Sequence, residues 1–327
     1  MRYIPEQKFV AKVPVKENVH AVLKVYSESD FLPALNGAEA FRSTDLIGIP
    51  KRLGACPRRL TQVFEWMPGD PLKNILCSPM VNFDHLKRAG LALATLHSQE
   101  VWGLEHSSGE KEIKLLKENA RLLAELSPDL LPKLKILMSK IGRRLIKGPQ
   151  LIRPCHGNFN AHKLLFDIDC DKINILGFDK AIFGDPAMDI GIFFAHLDKD
   201  VIDRRLSSVD AESCKNYFLE GYKKILNIPS ANRLETYQAL ELISLAIDPF
   251  KNRESKWLEK MKCIVKKIDD LFPDENEVSE GNQPIKNPSP NNFEGSNPIV
   301  PDNEMIWSSH TPESIQENLK ILCVDIK

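Results

Sequence analysis

The stretch HGNFNAHKLLFD, from His156 to Asp167, joins a polar loop to the apolar run Leu164–Phe166. A second stretch, ILGFDKAIFGDPAMDIG at Ile175–Gly191, starts in a predicted short strand and continues into another polar loop. Because each loop is flanked by residues that favour a buried strand, the two loops are predicted to converge. Their polar side chains would then meet at one site.

The two stretches resemble the loops of the aminoglycoside phosphotransferase and choline kinase superfamily. That family has H-G-D-x-x-x-x-N, then I-D-F/W-D/E, then G-D-P-x-x-D, and this chain has His156–Gly157, Phe178–Asp179 and Gly184–Asp189 in the same order. The resemblance implies a carboxylate that deprotonates the attacking hydroxyl group. It also implies an amide and a second carboxylate that hold magnesium beside the nucleotide phosphates, with ATP and Mg²⁺ as cofactors.

Upstream motifs extend the resemblance over residues 8–272. Lys24, in LKVY, corresponds to the family's phosphate-contacting lysine, and Glu39, in AEAF, is a candidate for its partner. VFEWMPGDPL resembles the family's hinge, and ALATLHS resembles its LA-x-LH helix. The resemblance therefore implies a nucleotide or small-molecule site in a cleft between two lobes.

Three aspartates and one histidine take their expected roles from the same resemblance. His156 is expected to support the catalytic loop, and Asp185 and Asp189 to cap and brace loops. Asp179 is the retained candidate metal ligand.

The chain departs from the family pattern at the two positions that carry chemistry. The catalytic aspartate is replaced by Asn158, and an amide has no basic site near neutral pH. The metal-binding asparagine is replaced by Lys163, whose ammonium group has three donors and no acceptor. Lys163 could instead place a positive charge where the second metal ion would be.

A third departure concerns the phosphate-covering loop. The family's lysine lies on its third strand, whereas the hairpin Lys8–Tyr26 supplies only two strands up to Lys24. Only MRYIPEQ precedes that hairpin, and no glycine occurs before Gly37. The glycine-rich loop whose backbone N–H groups would cover the phosphates is therefore expected to be missing.

The pattern predicts an α+β fold with two lobes, as in protein kinases. A small antiparallel sheet forms a reduced N-lobe at 1–67, and a mainly helical C-lobe follows at 68–272. Residues 273–327 are rich in Pro, Asn, Ser, Gly and Glu, which predicts a disordered tail. Its apolar end, Ser314–Lys327, could alternatively bind a partner or fold back on the protein.

Hydrophobic periodicity predicts the individual elements. The strands are expected at Lys8–Val15, Val19–Tyr26, Pro50–Gly54 and Arg59–Phe64. The helices are expected around Gly37–Arg42 and at Phe83–Gln99, Glu112–Leu126, Pro128–Ile146, Ala211–Leu226, Arg233–Ile247 and Lys256–Phe272.

Composition narrows the class of protein. Of 327 residues, 43% are hydrophobic and 27% charged, and the net charge of −1 argues against a nucleic-acid or anionic-membrane binder. The seven cysteines are scattered and never spaced CxxC, which favours reduced thiols over a disulfide framework or zinc site. The N-terminus lacks a signal-peptide pattern, and no apolar run is long enough to span a membrane, so we expect a cytoplasmic protein.

Three functions are compatible with the sequence, which leaves the protein's status as an enzyme open. We favour a catalytically impaired phosphotransferase, a pseudokinase, that acts as a binding, regulatory or accessory subunit with a protein partner or a ligand in the cleft. The alternative is an active ATP-dependent phosphotransferase, in which Asp179 holds one metal ion, Lys24 contacts phosphate and Lys163 replaces the second metal's charge. A nucleotide bound in an inverted pose, with transfer of another group, is a third possibility.

Overall fold

The computed structural model describes residues 2–4, 8–16, 19–76, 82–147, 151–167, 171–273 and 306–307. The apolar end of the tail, Ser314–Lys327, lies outside these residues.

The N-terminal part is built on an antiparallel sheet with one helix beside it. Its strands lie in the order 2–4, 8–16, 19–26, 61–65 and 52–56, and the predicted hairpin is confirmed as the second and third of these. Residues 2–4, which the sequence pattern did not predict as a strand, pair with the strand 8–16 at the sheet edge. Lys24 therefore lies on the third strand, and the expectation that only two strands lead up to it is wrong. The segment between the first two strands, 5–7, lies outside the described residues. The elements are β1 (Arg2–Ile4), β2 (Lys8–Lys16), β3 (Val19–Tyr26), α1 (Glu28–Ala40), β4 (Ile47–Gly48), β5 (Arg52–Cys56) and β6 (Thr61–Glu65).

The two faces of this sheet differ because side chains alternate along each strand. One face buries a small apolar cluster that includes Val13, Leu23 and Val63. The opposite face of β2 and β3 carries Lys8 and Lys24, which line a cavity. The sheet therefore supplies cationic side chains to the interior of the molecule.

Helix α1 is longer than predicted and begins nine residues earlier than Gly37. The sequence-based range Gly37–Arg42 is wrong because the helix contains Pro33 and has a weakly amphipathic pattern. Gly37 has a packing role, since a Cβ atom there would lie 2.1 Å from the Phe178 carbonyl oxygen. The absent side chain lets α1 lie directly against the second polar loop.

The C-terminal part consists mainly of helices around the larger apolar core. Its first elements are β7 (Asp70–Pro71), α2 (Leu72–Leu76), α3 (Phe83–His97), α4 (Gly109–Leu126), α5 (Leu131–Ile146), β8 (Arg153–Cys155), β9 (Leu164–Asp167), β10 (Lys172–Ile175) and β11 (Ile182–Gly184). The later elements are α6 (Ala187–Ile202), α7 (Ser208–Tyr222), α8 (Ala231–Leu245), α9 (Asp248–Lys251), α10 (Trp257–Asp270) and β12 (Ile306–Trp307).

Helix α6 was missed by the sequence reasoning. It is buried on nearly every side, with Ile190, Phe193 and Leu197 all in the core. Its buried residues also include the charged Asp189, Asp198 and Asp200, so burial here does not follow side-chain polarity, on which periodicity arguments depend. The helices with polar outer faces were placed correctly apart from their ends.

The short strands bring the two polar loops together. Strand β8 pairs with β11 and β9 pairs with β10, all antiparallel. The loop 156–163 runs from β8 to β9, and the loop 176–181 runs from β10 to β11. Each loop therefore starts and ends beside the other, as the sequence predicted.

Part of the tail is ordered. Ile306 and Trp307 form β12, which pairs antiparallel with Ala55 and Gly54 of β5 and extends the sheet to six strands. These two residues of the predicted disordered tail thus cover the β5 edge of the sheet.

Across the described ranges, every helix is too short or too polar to cross a bilayer.

Candidate functional site

The loop 156–163 is held in place by Asp189 in the first turn of α6. Its fully buried carboxylate accepts hydrogen bonds from the backbone N–H groups of His156 (2.6 Å) and Gly157 (2.9 Å). His97 Nε2 lies 3.0 Å from the same carboxylate. Burial opposes ionisation, but hydrogen bonding and attraction to His97 keep the pKa of Asp189 below its usual value. Asp189 therefore braces the loop, as predicted.

His156 makes contacts within the loops and is completely buried. Its Nδ1 accepts a hydrogen bond from the backbone N–H of Asn158 (3.2 Å), and its Nε2 donates to the Leu176 carbonyl oxygen (3.1 Å). Burial lowers the pKa of His156 to about 4, although Asp189 opposes this effect. The ring is therefore neutral at pH 7 and links the two loops.

Gly157 occupies a position that requires glycine. Its φ of +72° is in the left-handed region, and a Cβ atom would lie 2.0 Å from the Lys180 carbonyl oxygen. The close approach of the two loops thus depends on the missing side chain.

Asn158 takes part in a local hydrogen-bond network. Its Oδ1 accepts from Asn160 Nδ2 (3.0 Å), and Asn160 Oδ1 accepts from the backbone N–H of His162 (3.1 Å). The amide at residue 158 therefore helps to shape the loop. It has no group that could take a proton from a substrate hydroxyl.

A buried network surrounds the base of the loop. Asp185 caps α6 at the backbone N–H of Ala187 (2.8 Å) and accepts a hydrogen bond from Arg233 (2.7 Å). His97, Cys155 and Asp189 are the one group within the described ranges whose ligand atoms could surround a metal ion. His97 already bridges Asp189 and the Tyr222 hydroxyl, and burial raises the pKa of the Cys155 thiol. We therefore assign this cluster to structural hydrogen bonding.

Asp179 collects hydrogen bonds from three side chains of the N-terminal sheet. Lys24 Nζ and the Tyr26 hydroxyl donate to its Oδ1, each at 2.8 Å. Lys8 Nζ donates to its Oδ2 at 2.9 Å. The Asp179 side chain is 12% exposed, and the two lysines are 21% and 13% exposed. These contacts join the sheet to the loop 176–181.

The charges of this group stabilise each other. Burial would raise the pKa of Asp179, but the ammonium groups of Lys24 and Lys8 hold it well below its usual range. Burial, together with the neighbouring carboxylate, raises the pKa of Tyr26, so its hydroxyl stays protonated and donates. At neutral pH the site thus contains an ionised carboxylate bound by two cations and a neutral phenol.

Glu39 does not reach Lys24. It forms an ion pair with Arg52 of β5, and Arg52 also donates to the Leu35 carbonyl oxygen of α1 at 3.2 Å. The expected Lys24–Glu39 pair is wrong because Glu39 lies at the end of α1 that faces β5. Lys24 binds Asp179 instead.

Sequence reasoning missed Lys8 and Tyr26 as site residues. They are direct cross-strand partners in the β2–β3 hairpin, as are Val10 and Lys24. Since side chains two residues apart share a face, the correct hairpin register would have placed Lys8 and Tyr26 beside Lys24.

A cavity of about 450 Å³ lies between the sheet and the two loops. This volume is in the range of small-molecule sites. Most of its lining is apolar, one end carries ammonium groups and Asp179, and Glu65 and His162 also line it. The apolar walls include Val10, Val22, Phe64, Leu165 and Leu176, and the charged end includes Lys8, Lys24, Lys163 and Asp179.

Lys163 reaches this cavity from the first loop. Its backbone N–H donates to the Asn160 carbonyl oxygen, and its own carbonyl oxygen accepts from Leu176 N–H (2.7 Å). A Cβ atom on Gly177 would lie 2.9 Å from Lys163 Nζ, so the lysine side chain runs past that glycine. Of the predicted site residues, Lys24, Lys163 and Asp179 line the cavity together, whereas Glu39, His156 and Asn158 are not among its lining residues.

The residues around Asp179 test whether magnesium fits. Mg²⁺ binds oxygen atoms at about 2.0–2.1 Å in near-octahedral geometry, so each ligand needs a lone pair directed at the ion. Both oxygens of Asp179 already accept hydrogen bonds from ammonium groups, which repel a divalent cation. Lys163 offers no lone pair while protonated. The side chains around Asp179 therefore do not offer the free oxygen ligands that a magnesium ion needs.

Comparison with protein families gives one match. The model described as "APH: Phosphotransferase enzyme family" matches residues 3–224. A search of curated proteins returned no match.

Several solved structures share the fold. A choline/ethanolamine kinase family protein from Mesorhizobium loti has a TM-score of 0.54 at 14% identity, covering 81% of this chain and 88% of that one. Plasmodium vivax ethanolamine kinase has a TM-score of 0.52 at 12% identity, covering 81% and 80%. Aminoglycoside phosphotransferase APH(4)-Ia, in a ternary complex with AMP-PNP and hygromycin B, has a TM-score of 0.56 at 13% identity, covering 81% and 92%. The predicted kinase-like α+β fold is confirmed.

Proposed function

Because the chain belongs to the phosphotransferase enzyme family, we propose that it uses the family's cleft for binding and has lost ordinary phosphoryl transfer. It would act as a pseudokinase, that is, as a binding, regulatory or accessory subunit. The observation that carries the proposal is the Asp179 carboxylate, whose two oxygens are bound by Lys8, Lys24 and Tyr26.

The chemical step supports the same proposal. Phosphoryl transfer needs a group that orients and deprotonates the acceptor hydroxyl, and it needs metal ions that neutralise the phosphate charge. Asn158 cannot serve as the base, and Lys163 cannot ligate a metal ion. Contributions of these kinds are each worth several kcal/mol of barrier. Their combined loss would lower turnover by many orders of magnitude.

The proposed roles of the parts follow from their contacts. The N-lobe, 1–67, and the C-lobe, 68–272, form the cleft, where Lys24, Lys163 and Asp179 would contact a nucleotide or other small ligand. His156 would support the loop without touching the ligand. Glu39 would hold α1 on β5 through Arg52. The tail, 273–327, would recruit a protein partner in the cytoplasm.

An active, rearranged phosphotransferase is the second candidate. It is favoured by the cavity, which has kept a suitable volume and a charged end formed by Lys24, Lys163 and Asp179. In that case a ligand would displace Lys8 from Asp179 and open one carboxylate oxygen.

A turnover assay separates the two candidates. The full chain is incubated with ATP and magnesium, and ADP is measured with hygromycin B, kanamycin, ethanolamine or glucosamine as acceptor, or with none. These acceptors are named for the similar enzymes. A working aminoglycoside phosphotransferase serves as positive control. We expect no ADP above the enzyme-free rate. Magnesium-dependent ADP formation that is lost in Asp179→Asn would refute the pseudokinase proposal.

The partner is tested separately. Affinity capture from the source cells is run with the full chain and with a chain ending at Phe272, and captured proteins are reconstituted with purified protein. We expect a stoichiometric complex by size-exclusion chromatography for the full chain and a weaker one for the shortened chain. If both chains remain monomeric with every captured protein, the accessory-subunit part of the proposal is wrong.

A further inference from the structure

Lys8 is an added cation at the charged end of the cavity. It is the first residue of β2, and its ammonium group binds Asp179 Oδ2, whereas Lys24 binds Oδ1. Its side chain is 21% exposed and lines the cavity, so it remains accessible from the cleft. None of the sequence motifs singled out this residue.

The charged end has more cationic than anionic groups. Lys8 and Lys24 both bind one carboxylate, Asp179, while Lys163 and a second carboxylate, Glu65, also line the cavity. Each lysine ammonium has three N–H donors. Lys8 and Lys24 each use one of them on Asp179, so both can keep that contact while donating to an incoming anion. The end of the cavity therefore suits an anion with several oxygen atoms.

The rest of the cavity suits a flat apolar group. Val10 and Val22 come from the sheet, and Leu165 and Leu176 come from the strands and loop opposite. Phe64 also lines the cavity and adjoins its charged end, since Lys24 Nζ is 4.9 Å from the centre of its ring. A ligand with a planar ring at one end and phosphate oxygens at the other matches both regions.

We propose that this cavity binds a nucleoside di- or triphosphate as the metal-free anion, with the Lys8 ammonium group neutralising phosphate charge in place of a magnesium ion. The inference rests on the proposed function, because it names the ligand of the same cleft. Binding is expected to survive removal of divalent metal, since the cations that hold the phosphates belong to the chain.

Calorimetric titration of the full chain tests this proposal. The probe is AMP-PNP, whose bridging nitrogen prevents transfer, so turnover cannot affect the result. Titrations are run in EDTA and in magnesium at matched ionic strength. We expect the two dissociation constants to agree within about threefold. Adenosine and pyrophosphate are titrated separately, and each is expected to bind at least about tenfold more weakly than AMP-PNP.

Lys8→Met tests the residue, and Lys16→Met is its matched control. Lys16 is also on β2, but it is exposed and does not line the cavity. In EDTA, Lys8→Met is expected to weaken AMP-PNP binding at least about tenfold, and Lys16→Met less than about twofold. Circular dichroism checks that both variants are folded. If Lys8→Met does not fold, the AMP-PNP titrations of the unaltered chain in EDTA and in magnesium still test the inference.

The outcomes separate this inference from the proposed function. The inference is overturned if AMP-PNP does not bind in EDTA, or if magnesium strengthens its binding about tenfold or more. Either result leaves the proposed function intact as long as the turnover assay detects no ADP. Equal affinities for Lys8→Met and Lys16→Met also overturn the inference. Adenosine or pyrophosphate binding as tightly as AMP-PNP overturns the assignment of a nucleoside polyphosphate. Magnesium-dependent ADP formation refutes the proposed function whatever the titrations show.

Discussion

Replacing Asp189 with asparagine is expected to destabilise the C-lobe strongly. The carboxylate accepts backbone hydrogen bonds from His156 and Gly157 on its two different oxygens, and it lies beside His97 in the interior. Asparagine has almost the same shape but only one acceptor oxygen. Whichever way its amide group is turned, one buried N–H donor of the loop faces an NH₂ group.

The magnitude follows from these contacts. A hydrogen bond to a charged group contributes about 1.5–3 kcal/mol, and a buried donor left without an acceptor costs about 1–3 kcal/mol. Together they lower the free energy of unfolding by about 3–5 kcal/mol. For a domain of this size about 1 kcal/mol corresponds to roughly 2–4 °C, so the melting temperature should fall by about 6–20 °C.

Urea denaturation followed by far-ultraviolet circular dichroism measures this change, because the signal comes mainly from the helical C-lobe. Asp45→Asn is the matched control, since Asp45 is exposed and its substitution is expected to change stability by less than about 0.5 kcal/mol. If Asp189→Asn is within about 1 kcal/mol of the unaltered protein, the bracing role argued for this carboxylate is incorrect.

Three further predictions concern pH, the altered motif and the tail. Because the folded-state pKa of His156, about 4, lies below the usual 6.5, the folded protein binds fewer protons between these values. Stability measured by urea denaturation should thus fall by up to about 3 kcal/mol as pH decreases from 6.5 to 4, and less in His156→Gln. The double variant Asn158→Asp with Lys163→Asn should form no ADP, because Lys8 still binds the Asp179 carboxylate. When Lys8→Gly is added to this double variant, magnesium should raise its melting temperature in the presence of AMP-PNP. A chain ending at Phe272 should lose less than about 2 kcal/mol in urea denaturation, since only two residues of the described tail pair with the sheet.

Each of these has a contrary result. Stability that does not fall with pH, or falls equally in His156→Gln, would show that this imidazole is not held neutral by burial. ADP formation by the double variant would show that Lys8 leaves the carboxylate readily. A larger loss on removing the tail would mean that the tail stabilises the protein through more than β12.

The local pattern of the sequence predicted the two loops and most helices because both depend on neighbours in the chain. Apolar residues on one side of a helix mark α3, α4, α5 and α10. The loops were found through the order of their motifs, since the strands that flank them are only three or four residues long. In helix α6 the charged Asp189, Asp198 and Asp200 are buried together with apolar residues, so polarity does not mark its buried side.

Which residues meet at Asp179 depends on the pairing register between strands β2 and β3. The local sequence pattern does not determine this register. Lys16 pairs with Val19, and continuing that register would not place Lys8 opposite Tyr26. An irregularity between Pro14 and Lys16 shifts the pairing by one residue. Since a one-residue shift moves side chains to the other face, this irregularity is what brings Lys8 to the cavity.

The same hydrogen bonds that argue against metal chemistry argue for an anionic ligand. A buried carboxylate must be compensated in the folded protein whether or not a ligand is present. Lys8 and Lys24 compensate the charge of Asp179, so this carboxylate needs no metal ion to be stable in the folded protein. A metal ion would have to displace an ammonium group to reach an oxygen, whereas a phosphate needs only the donors that Asp179 leaves over. If the proposed anion binding holds, the lysines of the chain select the ligand by its charge, and chelating divalent metal should leave the affinity unchanged.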